Sequence, residues 1–223
     1  MLKIKKLKEL SLIGSADIIG NAITAFFWLF LSSQISPDEY GQIFYLIGIV
    51  AIASAFVIIG GQNTIQVHSS KNFKTESTLY FISLIIGILA STILMIFFYK
   101  IDSVLLLFGY IINTLAMGEL LGKKNFLSYS KHMILQKVLT LVLGISFFFI
   151  FGIEGILYAL ALSYVFFLMI IIRRFRETKI DFGLLKNRST FMINNYVIEI
   201  ITKLNANLNR LIIVPILGFS ILG

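Results

Sequence analysis

The feature that most constrains this chain is a series of long apolar segments joined by short polar connections, with the basic residues collected in alternate connections. A helix that crosses a bilayer needs about 20 apolar residues. With its connection, each crossing takes about 30 residues, so 223 residues hold about seven. The segments run at about 11–33, 37–60, 79–99, 104–122, 137–153, 155–172 and 191–214, the last less apolar than the others. The first is too long for a signal-peptide core and has no small-x-small cleavage site, so it reads as a retained span. The fold class expected is all-α, a polytopic transmembrane helical bundle.

Composition agrees. The chain is 58% hydrophobic and 13% charged, against about 45–50% and about 25% in soluble domains. A soluble enzyme, a disordered protein and a nucleic-acid-binding arm all fit poorly, and 21 Phe and 9 Tyr beside 2 Pro argue further against disorder. With no Cys, disulfide scaffolds, Cys-liganded zinc and thiol catalysis are excluded. No Gly-rich phosphate loop and no Ser/His/Asp arrangement is present, so no enzymatic activity and no cofactor is expected.

Ser36-Pro37-Asp38-Glu39 marks the start of the second helix: Ser36 suits the N-cap, Pro37 the first helical position and Glu39 the reciprocal capping-box position. The polar stretch 62–78 reads as the end of that helix and a surface turn, 123–136 as a polar connection, and 173–188 as a basic loop or surface helix. His68 and His132 fall in these connections and read as solvated, and two His without Cys make a metal site improbable. Ser83, Gly87 and Ser91, and likewise Gly155, Ala159 and Ser163, put small residues on one helix face, as close approach of helices in lipid requires.

Charge sets the orientation. Four Lys precede the first segment, two lie between the second and third, four between the fourth and fifth, and six Lys and Arg between the sixth and seventh, so sixteen of the 19 basic residues fall on one side. The opposite connections hold Lys100, and Lys203 and Arg210 belong to the seventh segment. By the positive-inside rule the N-terminus is cytoplasmic. The net charge of +8 therefore encodes topology, with some attraction to anionic lipid, and nucleic acid is not an expected partner.

Polar residues inside the apolar segments are the candidates for function, because a charge at the bilayer centre costs about 2.5–3.5 kcal/mol on insertion scales. Asp17, Asn21, Thr24 and Trp28 share one face of the first span. Two readings stand for Asp17: a cavity-lining cation or proton site, or an interfacial residue that is solvated or bonded to Asn21. Asn195, Glu199, Lys203, Asn207 and Arg210 recur at intervals of four, four, four and three and make one polar stripe on the seventh segment. Glu199 precedes Lys203 in the favourable ion-pair orientation. The stripe lines a cavity, or else the helix lies on the cytoplasmic surface with its span beginning near Leu211. Glu119 and Lys123 read as a local ion pair, and Asn113 as a residue that lines a cavity or bonds a neighbouring helix.

Ile35-Ser36-Pro37-Asp38-Glu39-Tyr40-Gly41, with the apolar span that ends in Gly60-Gly61-Gln62-Asn63, resembles the first helical hairpin of the polysaccharide and O-antigen flippases, the lipid-linked oligosaccharide exporters of the multidrug/oligosaccharidyl-lipid/polysaccharide (MOP) superfamily. Gly152-Ile153-Glu154-Gly155-Ile156-Leu157-Tyr158-Ala159 and the exit Arg173-Arg174-Phe175 resemble their fifth-to-sixth helix junction. Leu208-Asn209-Arg210-Leu211-Ile212-Ile213 and Ile221-Leu222-Gly223 resemble the end of their seventh helix and the start of the eighth. Many members carry an acid where this chain has Asn209, so an acid–Arg210 pair does not carry over.

The resemblance implies a MATE-like first lobe of six helices (1–172), a basic cytoplasmic connection (173–190), and a seventh helix with the start of a truncated second lobe (191–223). A half bundle of this kind is expected to leave its cavity face, with the seventh-segment stripe, toward lipid. The implied activity is translocation of an isoprenoid-pyrophosphate-linked oligosaccharide across the cell membrane by alternating access. Lys203 and Arg210 would attract the pyrophosphate and sugar acids. Asn195, Asn207 and Asn21 would bond the sugars, and Asp17 stands where related members place a coupling carboxylate for H+ or Na+. Implied partners are the substrate, membrane lipids and polysaccharide assembly proteins. A cation-coupled small-molecule exporter of the same superfamily and a non-transporting membrane scaffold are the competing classes.

Overall fold

The computed structural model describes residues 2–186 and 189–219. Arg188 and the Ile221-Leu222-Gly223 motif lie outside them. Among the described residues the chain is helical, with ten α-helices: α1 (Leu2–Gln34), α2 (Pro37–Val57), α3 (Gly61–Ser70), α4 (Glu76–Phe98), α5 (Ile101–Gly122), α6 (Phe126–Phe151), α7 (Glu154–Leu162), α8 (Leu168–Glu177), α9 (Gly183–Lys186) and α10 (Ser189–Leu217). A 3-10 turn, Val165–Phe167, joins α7 to α8. Six stretches are long and apolar enough to cross a membrane: 11–34 of α1, then α2, α4, α5, α6, and the α7–α8 unit from Glu154 to Glu177. They make a multi-pass membrane protein. The seventh helix, α10, has 29 residues and is about 43 Å long at 1.5 Å per residue, but its polar stripe keeps it out of the apolar set.

The local signals near residue 36 act as the sequence predicts. Ser36 Oγ accepts the Glu39 N–H at 3.4 Å, and Glu39 Oε2 accepts the Ser36 N–H at 2.8 Å. With Pro37 in the first turn, this closes a capping box on α2. Gly60 and Gly61 both have positive φ, +80° and +63°, conformations that glycine adopts without steric cost, and they break α2 from α3.

Three stretches differ from their sequence reading. Residues 62–78 are a partly buried cap: α3 fills most of the segment, Thr64, Ile65, His68, Ser69 and Thr75–Thr78 are buried, and the surface turn read from the sequence is present at Lys71, Asn72 and Lys74, which are exposed. Two pairs of these polar side chains bond across the turn. His68 Nδ1 lies 2.9 Å from Thr75 Oγ1, and Ser69 Oγ donates to Glu76 Oε1 at 3.0 Å. The segment 123–136 is mostly the first turns of α6, started by Asn125, whose side chain accepts the Ser128 N–H at 3.3 Å. His132 therefore sits on a helix, with Nδ1 2.7 Å from Ser128 O, and neither histidine is loop-borne and solvated. The basic stretch after 172 begins as the last turns of α8, which continue to Glu177.

α5 is the centre of the bundle, in contact with α2, α3, α4, α6, α7 and α8. Leu106, Leu107, Ile111, Leu115 and Ala116 on it are fully buried. Small residues set the close approaches. Gly118 and Gly122 receive the backbone of α3 at Gln62 and Gln66, Gly87 of α4 receives Ile111, and Gly155 of α7 meets the Phe147 carbonyl. Ser163, in line with Gly155 and Ala159, lies 3.2 Å from Gln136 Nε2 and 3.0 Å from Thr140 Oγ1 of α6, so the predicted small face of this helix is the one that packs. α1 runs parallel to α6, with Leu12 beside Ser130, Gly20 beside Lys137 and Phe27 beside Gly144.

At the basic end of the bundle a buried polar network ties α4, α5 and α8 together. Glu119 accepts from Lys123 Nζ at 2.7 Å, from Tyr80 Oη at 2.5 Å and from the Arg174 guanidinium. Arg174 also reaches Glu177 at 3.0 Å. Ser77 Oγ donates to Arg174 O, and Thr78 Oγ1 donates to Asp181 O and accepts from the Asp181 N–H. The Glu119–Lys123 pair is the one read from spacing. Arg174, 55 residues further on, has no local signal.

Candidate functional site

The site is built where α10 packs against α2. The two helices run antiparallel: Tyr196 Oη donates to Phe56 O at 2.7 Å, Glu199 lies against Gly61, and Asn207 and Arg210 lie against Gly48. Gly48 falls at the middle of α2, so Arg210 is at mid-depth in the bundle.

The covered face of α10 is the polar one. Met192 and Asn207 are buried, Asn195, Glu199, Lys203 and Arg210 are partly covered, and Ile193, Val197, Ile198, Ile201, Leu208 and Ile212 point outward. The charged residues of the stripe thus lie on the covered side, whereas the exposed side mixes these apolar residues with Asn194, Thr202, Asn205 and Asn209. The expectation that the stripe would face lipid is corrected. α2 covers it, because Gly48 and Gly61 let the polar side chains approach the α2–α3 backbone.

Within the stripe, Asn207 Nδ2 donates to Lys203 O at 2.9 Å, and its Oδ1 accepts from Arg210 Nη1 at 3.0 Å. Asn195 Nδ2 donates back to Phe191 O at 2.8 Å. The ion pairs of the described residues all involve Glu119 or Glu177, so Glu199 and Lys203 are not joined in the pair their spacing suggests. Lys203 and Arg210 have no carboxylate partner among the described residues. Glu199 is held instead against Gly61, where a Cβ would lie 3.1 Å from Oε2.

Arg210 also sits over an aromatic cluster that joins α1 to α2. Its guanidinium carbon is 5.0 Å from the centroid of Phe44, a cation–π distance. Phe44 stacks on Tyr40 at 4.7 Å and packs against Trp28 at 4.5 Å. Tyr40, Phe44 and Gly48, four residues apart, form one face of α2. That spacing was the signal in the sequence for the surface that receives Arg210.

The first-span candidates are elsewhere. Asp17 is partly covered and lies toward the basic end, within electrostatic reach of Tyr129 in the first turn of α6. Asn21 is exposed. No hydrogen bond joins Asp17 to Asn21, and none joins either to the α10 stripe, among the described residues. Thr24 Oγ1 donates to Gly20 O at 2.8 Å. Trp28 is the one member of that face brought toward Arg210, through Phe44.

No protein-family model matches the chain, and no curated protein sequence matches it. Solved structures do match. A MOP superfamily transporter from Pyrococcus furiosus is 17% identical with a TM-score of 0.64, over 92% of this chain and 54% of that one. A MATE crystal structure in complex with Br-NRF is 19% identical, TM-score 0.63, over 91% of this chain and 54% of that one. A multidrug resistance MATE family transporter of the MOP superfamily, in an outward-facing conformation, is 19% identical, TM-score 0.51, over 92% and 52%. The chain spans about half the length of the transporters it matches. It has the six-span helical fold of MOP-superfamily transporters over that half.

Proposed function

We propose that the protein is a flippase of the cell membrane that carries an isoprenoid-pyrophosphate-linked oligosaccharide from the cytoplasmic to the outer leaflet by alternating access. The observation that carries this is a pair of cations, Lys203 and Arg210, turned inward on α10 without a carboxylate partner among the described residues. Cations left unpaired within the membrane call for an anionic ligand, and pyrophosphate is matched by guanidinium and ammonium donors. Arg210 lies level with the middle of α2, the depth at which secondary transporters bind substrate.

In this reading, residues 1–172 form the first lobe, 173–190 the cytoplasmic connection and 191–223 the beginning of the second lobe, with the N-terminus in the cytoplasm. Arg210 and Lys203 hold the pyrophosphate. Asn195 and Asn207 bond sugar hydroxyls, and Asn21, exposed on α1, is a further candidate for the glycan. Asp17 holds the coupling proton or sodium ion. The chemistry is translocation without a covalent step, and polysaccharide assembly proteins supply and consume the glycan.

A second reading, a cation-coupled small-molecule exporter, is favoured by the multidrug resistance MATE transporter among the structural neighbours. The Pyrococcus furiosus neighbour is described as having a binding pocket of reversed polarity that suggests a different function, so polarity is the property to test. Deletion of the gene separates the two: a flippase loses surface glycan and accumulates lipid-linked sugar inside, whereas an exporter changes susceptibility to cationic drugs and leaves the glycan intact.

A further inference from the structure

A second polar site lies away from the α2–α10 face. A cavity of about 420 Å³ opens at the basic end of the bundle between α5, α6 and α8. Its lining includes Lys123, Arg173 and Arg174, the carboxylates Glu119 and Glu177, and an apolar side of Leu120, Met169 and Ile170.

Both carboxylates are already engaged. Glu119, buried at the floor, accepts from Tyr80, Lys123 and Arg174, and Glu177 accepts from Arg173 at 2.6 Å and from Arg174 at 3.0 Å. Three cations against two carboxylates leave the lining with one net positive charge, and a guanidinium has five N–H donors, more than Arg173 spends on Glu177. The opening of α6 adds to this field: Asn125 and Ser128 line the cavity at the first turn of a 26-residue helix, its positive end. Met169 of α8 is 76% exposed. The cavity therefore has a cationic interior and an apolar flank that opens to lipid.

We propose that this cavity binds the phosphate head group of an anionic phospholipid, with its acyl chains along Met169 and Ile170. The amphiphilic lining selects a lipid over a free phosphate, since a soluble anion makes no use of the apolar side. Assignment to the cytoplasmic leaflet, where anionic lipid concentrates, rests on the orientation proposed above; the transport activity is not needed. The lipid would brace α8 against α5 and α6 at the point where the chain leaves toward α10.

The test is thermal unfolding of the purified full chain in nanodiscs of phosphatidylcholine alone or with phosphatidylglycerol. Phosphatidylglycerol is expected to raise the midpoint by about 3 °C or more. Arg173→Ala, at a side chain that is 79% exposed, should keep the phosphatidylcholine midpoint and lose most of that shift. Lys123→Gln should also lose it, and serves should Arg173→Ala fail to fold. Arg176→Ala removes the same charge from the exposed surface of α8 outside the cavity and should retain the shift. Equal midpoints in both lipids, equal loss in Arg176→Ala and Arg173→Ala, or a full shift from inorganic phosphate in phosphatidylcholine would each overturn the lipid site.

Discussion

Gly48 of α2 faces Arg210 of α10 so closely that a Cβ at Gly48 would lie 3.1 Å from the Arg210 Cδ. The contact is with a flexible side chain, so the two sizes of substitution should behave differently. Gly48→Ala should be accommodated by a small shift of the arginine. Gly48→Leu should push Arg210 off Phe44 and cost about 1–3 kcal/mol in overpacking. Thermal unfolding of the two variants reads the difference; equal midpoints would mean that α10 does not seat on α2 as described.

The Glu119–Arg174 pair is buried and shared among three helices. Removing Arg174 leaves buried Glu119 with Lys123 as its remaining cation, a loss of about 1.5–3 kcal/mol for the charged hydrogen bonds removed. Arg174→Met should therefore destabilise strongly, and the double variant Arg174→Met, Glu119→Leu should recover part of that loss. A double variant that unfolds at or below the midpoint of Arg174→Met would show that the pair is not coupled.

At Gly122 the approach is to backbone. A Cβ there would lie 2.3 Å from the Gln66 carbonyl oxygen, and a carbonyl within a helix cannot swing aside. Gly122→Ala is expected to lever α3 away from α5, costing about 1–3 kcal/mol. Gly14, with nothing near its Cβ position, is the control: Gly14→Ala should be neutral or stabilising, as glycine is about 1 kcal/mol poorer than alanine inside a helix. Denaturation midpoints of the pair decide this.

The capping box gives a smaller, local effect. Ser36→Ala removes the acceptor for the Glu39 N–H and should destabilise by about 1 kcal/mol. Protease nicking at 34–37 should rise, with the rest of the chain unchanged.

Membrane helices advertise themselves by length, and the six apolar spans and the capping box at Ser36 were legible for that reason. The polar stripe of α10 was legible as a stripe. What it faces was not, because Gly48 and Gly61 lie on other elements and periodicity within α10 cannot reveal them. The burial in 62–78 was missed because His68 pairs with Thr75, Ser69 with Glu76, and Ser77 and Thr78 with the chain beyond α8, and composition alone scores such a cluster as surface. Asp17 and Asn21 share a helical face with Trp28, yet only Trp28 approaches Arg210. A common face fixes direction around the helix axis, not depth along it. Phe44, the partner of both Trp28 and Arg210, was visible only as the middle of three positions, Tyr40, Phe44 and Gly48, at intervals of four.

The proposed role of Lys203 and Arg210 in gripping an anionic substrate is tested most directly by complementing a deletion strain with the gene carrying Lys203→Ala and Arg210→Ala, and measuring surface glycan together with lipid-linked sugar on the inner side. Surface glycan should be lost and lipid-linked sugar should accumulate, with the variant protein still present in the membrane. Full glycan export by that double variant would contradict the proposed site.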